Sequence, residues 1–98
     1  MKQKTLLKRL KGFQKVISME SPSVNGGPVA NQTIVRFDNG SLFQSYESVI
    51  AVKYGNKIYL GKNWNYSMTT AKYRNQYLQE TKAETEAKIK SGTYEILE

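Results

Sequence analysis

The sequence of 98 residues contains no cysteine and no histidine. The lack of cysteine excludes disulfides, thiolate zinc sites and a cysteine nucleophile. The lack of histidine removes the side chain most often used as a general base and as a metal ligand. No apolar run comes near the length of about 20 residues that is needed to span a bilayer. These absences favour a small non-enzymatic domain, and we expect no metal, no other cofactor and no membrane partner.

The remaining reactive groups form no recognisable catalytic pattern. Five of the eight acidic residues lie in residues 80–98, and the other three, Glu20, Asp38 and Glu47, are isolated in sequence. Gly26-Gly27-Pro28 lacks the Lys-Ser/Thr pair that follows the glycines of a phosphate-binding loop. No acidic cluster of the kind that binds Mg²⁺ or Ca²⁺ is present in the sequence. We therefore expect a protein that is not an enzyme.

Positive charge is concentrated at the start of the chain. The protein carries 15 Lys+Arg and 8 Asp+Glu, a net charge of +7, and residues 1–19 contain six of the basic residues and no acid. A dense basic segment attracts polyanions, whereas a protein that mimics DNA must be acidic. The alternative is a solvated basic tail that aids solubility. Lys8, Arg9 and Lys11 interrupt the first apolar stretch, so no signal peptide is recognised and we expect a cytoplasmic location.

The pattern of turns and periodicity predicts one α+β domain over residues 1–98. Strand-like runs separated by Asp38-Asn39-Gly40 and Gly55-Asn56 are typical of an antiparallel meander. The predicted organisation is a basic N-terminal segment (1–12), a β-meander of about four or five strands (13–61), one long helix (69–91) packed on it and a last strand (93–97).

Two helical segments are expected. Residues 3–11 place Leu6, Leu7 and Leu10 on one side, which predicts a short amphipathic helix packed against the core. From residue 71 the composition changes to helix formers, with Thr69 or Thr70 as the predicted N-cap and Gly92 as the C-terminal stop.

Aromatic and basic side chains supply the candidate binding residues. Strand alternation predicts Phe37 inward and Arg36 outward, and the phenylalanines and Trp64 are expected in the core. The outward basic residues of the sheet and helix, together with the N-terminal segment, are expected to form one positive face. The candidate contacts to a partner or nucleic acid are Lys2, Lys4, Lys8, Arg9, Lys11, Lys15, Arg36, Lys53, Lys57, Lys62, Tyr66, Lys72 and Arg74.

Two stretches carry a resemblance to a known group of proteins. They are NGSLFQSYESVIAV (residues 39–52) and YLGKNWNYSMTTAKYRNQYL (residues 59–78), to which PVANQTIV (residues 28–35) adds a weaker match. The pattern of Phe-Gln-Ser-Tyr, Ile-Ala and Leu-Gly-x-x-Trp-x-Tyr-Ser-x-Thr-Thr resembles small uncharacterised proteins of bacteriophages and prophages from Firmicutes and gut bacteria. The resemblance implies a phage origin and assigns no active site.

Three functional hypotheses remain open. The first is a phage-encoded effector that binds a host protein or nucleoprotein complex acting on nucleic acid. Such an effector would inhibit a host defence system, such as a CRISPR effector or a nuclease. The second is direct nucleic-acid binding, with lysines on phosphates and tyrosines stacked on bases. The third is a small virion or assembly component. The sequence leaves the oligomeric state open.

Overall fold

The computed structural model describes residues 1–11, 16–20 and 31–98, and the side chains of residues 1–10 and 31–98. Within these ranges the chain forms three helices and six strands, and the predicted α+β class is confirmed. The predicted burial of Phe13 lies outside the described residues. The elements in chain order are α1 (Gln3–Lys11), β1 (Val16–Glu20), β2 (Gln32–Phe37), β3 (Gly40–Ser45), β4 (Ser48–Tyr54), β5 (Lys57–Leu60), α2 (Met68–Leu78), α3 (Lys82–Lys90) and β6 (Tyr94–Ile96).

The strands form a single sheet in the order β1-β2-β3-β4-β5-β6. Strands β1 to β5 pair antiparallel with their sequence neighbours, so the predicted meander is confirmed. The predicted last strand is present as β6. It pairs parallel to β5, with Tyr59 opposite Glu95, so the sheet is mixed. The parallel pairing requires a crossover, which α2 and α3 provide.

Two glycines sit where the backbone of a neighbouring strand leaves no room for a side chain. A Cβ atom at Gly40 would lie 2.0 Å from the carbonyl oxygen of Lys53. A Cβ atom at Gly61, directly after β5, would lie 1.8 Å from the carbonyl oxygen of Val49. The backbone N–H of Gly61 donates to the carbonyl of Ile50 at 2.9 Å. Both glycines therefore allow a close approach to β4.

Helix α1 covers one face of the sheet. The helix predicted over residues 3–11 is present, and its Leu6 and Leu10 are fully buried. Strand side chains alternate between faces, and a register shift between β3 and β4 breaks the alternation in β4, so that Val49 and Val52 both point toward this helix. The cluster on this face contains Leu6, Leu10, Phe37, Leu42, Val49, Val52, Tyr59 and Leu97.

Helices α2 and α3 cover the opposite face. The cluster there contains Ile34, Phe43, Ile50, Ala51, Leu60, Tyr73, Tyr77, Leu78 and Tyr94, with Trp64 partly buried against it. Two buried pairs of hydroxyl groups tie α2 to β3: Ser41 with Tyr77 at 2.6 Å, and Ser45 with Thr70 at 2.9 Å. The expected core positions of Phe37 and Phe43 are confirmed.

The single long helix predicted over residues 69–91 is wrong, because the chain breaks into two helices after Leu78. Gln79 adopts a left-handed conformation with φ 57° and ψ 46°, which ends α2. Thr81 then caps α3: its hydroxyl accepts from the N–H of Glu84 at 3.2 Å, and the Glu84 carboxylate accepts from the N–H of Thr81 at 3.1 Å. This reciprocal capping box starts a new helix.

The N-cap of α2 also differs from the prediction. Ser67 caps the helix, with its side-chain oxygen accepting from the N–H of Thr70 at 3.1 Å. Thr70, one of the two residues predicted as the cap, is instead fully buried against Ser45. The hydroxyl of Thr70 is therefore occupied in a contact between the helix and the sheet.

Replacing Gln79 with glycine is expected to stabilise the protein. A left-handed conformation costs a non-glycine residue about 1–2 kcal/mol, and the greater freedom of glycine in the unfolded chain offsets part of the gain. We expect Gln79→Gly to raise the free energy of unfolding by about 0.5 kcal/mol in urea denaturation. The matched control, Gln76→Gly inside α2, should lower it by about 1 kcal/mol. Equal destabilisation by both variants would contradict the assignment of Gln79.

A buried carboxylate joins the start of α3 to strand β6. The side chain of Glu80 is 2% exposed and accepts from Thr85 Oγ1 at 2.5 Å, from the Tyr94 hydroxyl at 2.7 Å and from Lys88 Nζ at 2.7 Å. Burial alone would raise the pKa of Glu80, but the hydrogen bonds from Lys88, Thr85 and Tyr94 outweigh it and hold the pKa below the ordinary value of 4.5. The ionised carboxylate therefore stabilises the packing of α3 on β6.

The stabilisation by Glu80 should depend on pH. Because the pKa of Glu80 is lower in the folded than in the unfolded chain, its contribution is present above about pH 4.5 and is lost as the pH falls through the folded-state value. We expect Glu80→Gln to cost about 1.5 kcal/mol at neutral pH, the scale of hydrogen bonds to charged groups. The difference from the parent protein should shrink toward pH 3, measured by urea denaturation. Glu86→Gln, on the exposed side of α3, should change stability little at either pH.

Candidate functional site

The sheet separates six of the predicted basic residues into two groups on opposite faces. Four exposed cations lie on α1 or just before it, and we call them the α1 surface: Lys2, Lys4, Lys8 and Arg9. Lys11 belongs to the last turn of α1, but its side chain lies outside those described, and Lys15 lies outside the described residues altogether. Arg36 and Lys53 lie on the face covered by α2. The expectation of one continuous positive face is therefore wrong for the residues that the structure describes.

The α1 surface is held in a fixed position. Leu6 and Leu10 anchor the inner side of the helix in the core, while Lys4 and Lys8, one turn apart, are both exposed. The N–H of Gln3 donates to the carbonyl of Glu98 at 3.0 Å, so the chain ends lie side by side. Residues 1–11 contain no acidic side chain. The helix therefore presents positive charge from an ordered support.

On the opposite face, Arg36, Ser41 and Lys53 lie in one row across three strands. Arg36 is the register partner of Ser41, which in turn is the partner of Lys53. With Ile34, Gln76, Tyr77 and Gln79, the two cations line a cavity of about 290 Å³ beside the C-terminal end of α2. The predicted outward position of Arg36 is confirmed by its exposure.

Lys53 is used to attach α2 to the sheet. Its Nζ donates to the carbonyl of Tyr77 at 2.9 Å and lies 4.4 Å from the centroid of the Tyr77 ring. Burial, with the nearby charge of Arg36, lowers the pKa of Lys53. Burial also raises the pKa of the Tyr77 hydroxyl to about 12, so this tyrosine stays protonated at neutral pH. The arrangement favours a structural role for both side chains.

Arg74 is fully buried, and the interpretation of this residue as an outward basic group is wrong. Its Nη1 donates to the carbonyl of Trp64 at 2.8 Å, its Nη2 donates to Asn75 Oδ1 at 3.0 Å, and the guanidinium lies 5.1 Å from the centroid of the Trp64 ring. Burial lowers the pKa of Arg74. The residue fixes the link between β5 and α2, where Tyr66 lies.

The other predicted cations are exposed but scattered. Lys57 lies 3.4 Å from the carboxylate of Glu95. Lys72 Nζ lies 5.6 Å from the centroid of the Tyr73 ring. Lys62 follows Gly61 and is exposed. Of these three, only Lys62 lines a cavity described below.

Two exposed tyrosines come together at one end of the sheet. Tyr46 is 55% exposed in the turn between β3 and β4, and Tyr66 is 62% exposed in the link before α2. We call the cavity between them, of about 450 Å³, the tyrosine cleft; its lining consists of Asn31, Ser45, Tyr46, Glu47, Ser48 and Tyr66. Sequence reasoning selected Tyr66 and missed Tyr46. The feature of the sequence that indicates an exposed Tyr46 is its place in a two-residue turn between two strands.

The backbone of the tyrosine cleft adopts an unusual conformation. Asn31 and Tyr46 both have positive φ, 64° and 55°. The N–H of Tyr46 donates to the carbonyl of Asn31 at 2.6 Å, and the Tyr46 carbonyl accepts from Gln44 Nε2 at 3.0 Å. A bulky aromatic residue rarely occupies this region, which favours glycine or asparagine. The strain is held at the rim of a cleft, where such strain is often functional.

A second, smaller cavity adjoins the tyrosine cleft. It has a volume of about 210 Å³ and is lined by Gln3, Glu47, Ser48, Val49, Lys62 and Asn63. Glu47 and Ser48 line both cavities. The tyrosine cleft therefore adjoins a cavity that reaches Lys62 and the first residue of α1.

Within the described residues, neither a metal-binding cluster nor a membrane-spanning helix is present. Among residues 1–11, 16–20 and 31–98, no group of three or more acidic, histidine or cysteine side chains is placed to hold a metal ion. No helix in the described part of the chain is long and apolar enough to cross a bilayer.

Comparison with known proteins identifies a family without an assigned function. No curated protein and no solved structure matches the chain. A family model described as a family of unknown function (DUF8033) matches residues 16–93. The matched region includes the tyrosine cleft and the Arg74 contacts and begins after α1. Because it spans well over half of the sequence, the chain belongs to the DUF8033 family.

Proposed function

We propose that this protein is a non-enzymatic effector, encoded by a bacteriophage or prophage, that binds a host nucleic-acid machine in the cytoplasm of the infected bacterium and acts as an anti-defence inhibitor. The observation that carries the proposal is the α1 surface. Its four exposed cations have no acidic neighbour within residues 1–11 and project from a helix anchored by Leu6 and Leu10.

The charge distribution supports a partner that carries negative charge. Complementary charge raises association rates and selects partners, and a rigid support lowers the entropy lost on binding. A machine that acts on nucleic acid offers such charge in its bound phosphates and in the acidic residues of its nuclease centres. CRISPR effectors and nucleases are the classes of target to test first.

The contacts made by the titratable residues support a non-enzymatic role. Glu80 and Lys53 are engaged in contacts between secondary-structure elements, and Arg74 holds a loop. Tyr77 has a pKa raised to about 12 by burial and is hydrogen-bonded to Ser41. These side chains stabilise the fold, which leaves none of them for acid–base chemistry.

Neutralising two cations of the α1 surface should weaken capture of the host complex. We expect tagged protein to retain a stoichiometric complex from nuclease-treated host lysate, and Lys4→Gln/Lys8→Gln to weaken its binding about tenfold. The control Lys82→Gln/Lys90→Gln removes the same charge from exposed positions on α3 and should bind like the parent protein. Equal weakening by both pairs would mean that only net charge matters. Absence of any stoichiometric partner would contradict the proposal.

Direct binding of nucleic acid is the second candidate, and the exposure of Tyr46 and Tyr66 favours it. Single-stranded nucleic acid binds by phosphate contacts to basic residues and by stacking of bases on aromatic rings. If Lys4 and Lys8 each contact one phosphate, the double glutamine variant should reduce the slope of log affinity against log salt by about 1.4. An unchanged slope would exclude the α1 surface from such binding.

A further inference from the structure

We infer that the tyrosine cleft is a binding site for single-stranded nucleic acid, in which unpaired bases stack on Tyr46 and Tyr66 while the phosphates run past Lys62 toward the α1 surface. The inference deepens the proposed function, because it rests on a partner that carries nucleic acid. It assigns recognition of bases to a different part of the molecule from the α1 surface.

The first argument is that the exposure of the two rings has no structural explanation. With 55% and 62% of their surface exposed, Tyr46 and Tyr66 contribute little to the buried core. No ring contact or side-chain hydrogen bond involves either side chain in the described structure. Exposed tyrosines of this kind provide flat surfaces on which any base can stack.

The second argument is the strain at Tyr46. Its φ of 55° belongs to a region that disfavours side chains with a Cβ atom, and glycine would occupy this turn without strain. The fold would therefore be better served by glycine. An aromatic ring held there at an energetic cost is explained by a role at the cleft.

The third argument is the size and polarity of the cleft. A volume of about 450 Å³ lies within the range of about 300–1,000 Å³ typical of small-ligand sites and is sufficient for a nucleotide. Between the rings, the lining offers the polar side chains of Asn31 and Ser48, whereas the Ser45 hydroxyl is buried against Thr70. Hydroxyl and amide groups pair with the edges of unstacked bases. An apolar peptide would find few matching contacts among these groups.

The fourth argument is the position of charge around the cleft. The adjoining cavity leads from Glu47 and Ser48 to Lys62 and to Gln3, the first residue of α1. Glu47 repels phosphates at the boundary between the two cavities, so the phosphates must follow the side occupied by Lys62. Because duplexes bury the faces of their bases, this arrangement selects single strands.

The test measures fluorescence anisotropy of labelled single-stranded DNA and RNA of about 12 nucleotides, and of a duplex of the same length, at about 50 and 200 mM salt. We expect the full chain to bind single strands more tightly than the duplex. Tyr46→Gly and Tyr66→Ala should each weaken single-strand binding about tenfold, whereas Tyr46→Phe and Tyr66→Phe should retain it, because phenylalanine still stacks.

Two further variants serve as controls for the test. Met68→Ala removes a neighbouring side chain that is 90% exposed but not aromatic, and binding should not change. Glu47→Gln removes the acidic group at the boundary and should strengthen binding two- to threefold. Thermal unfolding checks the fold of each variant, and Tyr46→Gly should melt no lower than the parent protein.

The possible outcomes separate this inference from the proposed function. Loss of binding in the tyrosine variants but not in Met68→Ala supports the site. Parent-like binding by both tyrosine variants, or no binding of single strands at the lower salt, overturns it. If Lys4→Gln/Lys8→Gln alone loses binding, nucleic acid contacts only the α1 surface and the tyrosine cleft is not its site. Retention of a host complex without oligonucleotide binding overturns the inference and leaves the proposed function standing.

Discussion

The burial of β4 on both of its faces is the constraint on which the rest of the structure depends. Four consecutive residues, Val49 to Val52, are buried, and they contribute to the clusters on both sides of the sheet. A strand of this kind requires a covering layer on each face. Helices α2 and α3 supply one layer and α1 supplies the other. Removing α1 would expose one cluster to water, so the helix that bears the basic residues is also part of the core.

Local signals in the sequence predicted most of the elements, because turns and periodicity depend on neighbouring residues. The meander follows from its turn residues, and α1 follows from the spacing of its leucines. The prediction of one long helix is wrong because helix-forming residues continue through residues 79–81 and hide the break. The sequence does contain a sign of the second helix, since Thr81 and Glu84 have the spacing of a capping box. The left-handed conformation of Gln79 has no signal in its residue type, since glycine and asparagine are the residues that favour this conformation.

The candidate site was less predictable than the fold, because it depends on which elements meet in space. Arginine is usually a surface residue. The burial of Arg74 depends on its contacts with the backbone carbonyl and the ring of Trp64, ten residues earlier. The division of the cations between two faces depends on where α1 packs, which periodicity does not specify. Tyr66 is predicted from its residue type, whereas the sequence marks Tyr46 only by its place in a short turn, and the φ of 55° becomes known only from the structure.

The arrangement of α1 separates the residues that pack against the core from those that set the surface charge. Leu6 and Leu10 carry its packing, while Lys4 and Lys8 point away from the protein. The region that matches the family model begins at residue 16, beyond this helix. Substitutions on the outer side of α1 therefore change the surface charge without altering the core or the tyrosine cleft. The inner side of the helix is thus constrained by packing, whereas its outer side is free to vary in sequence.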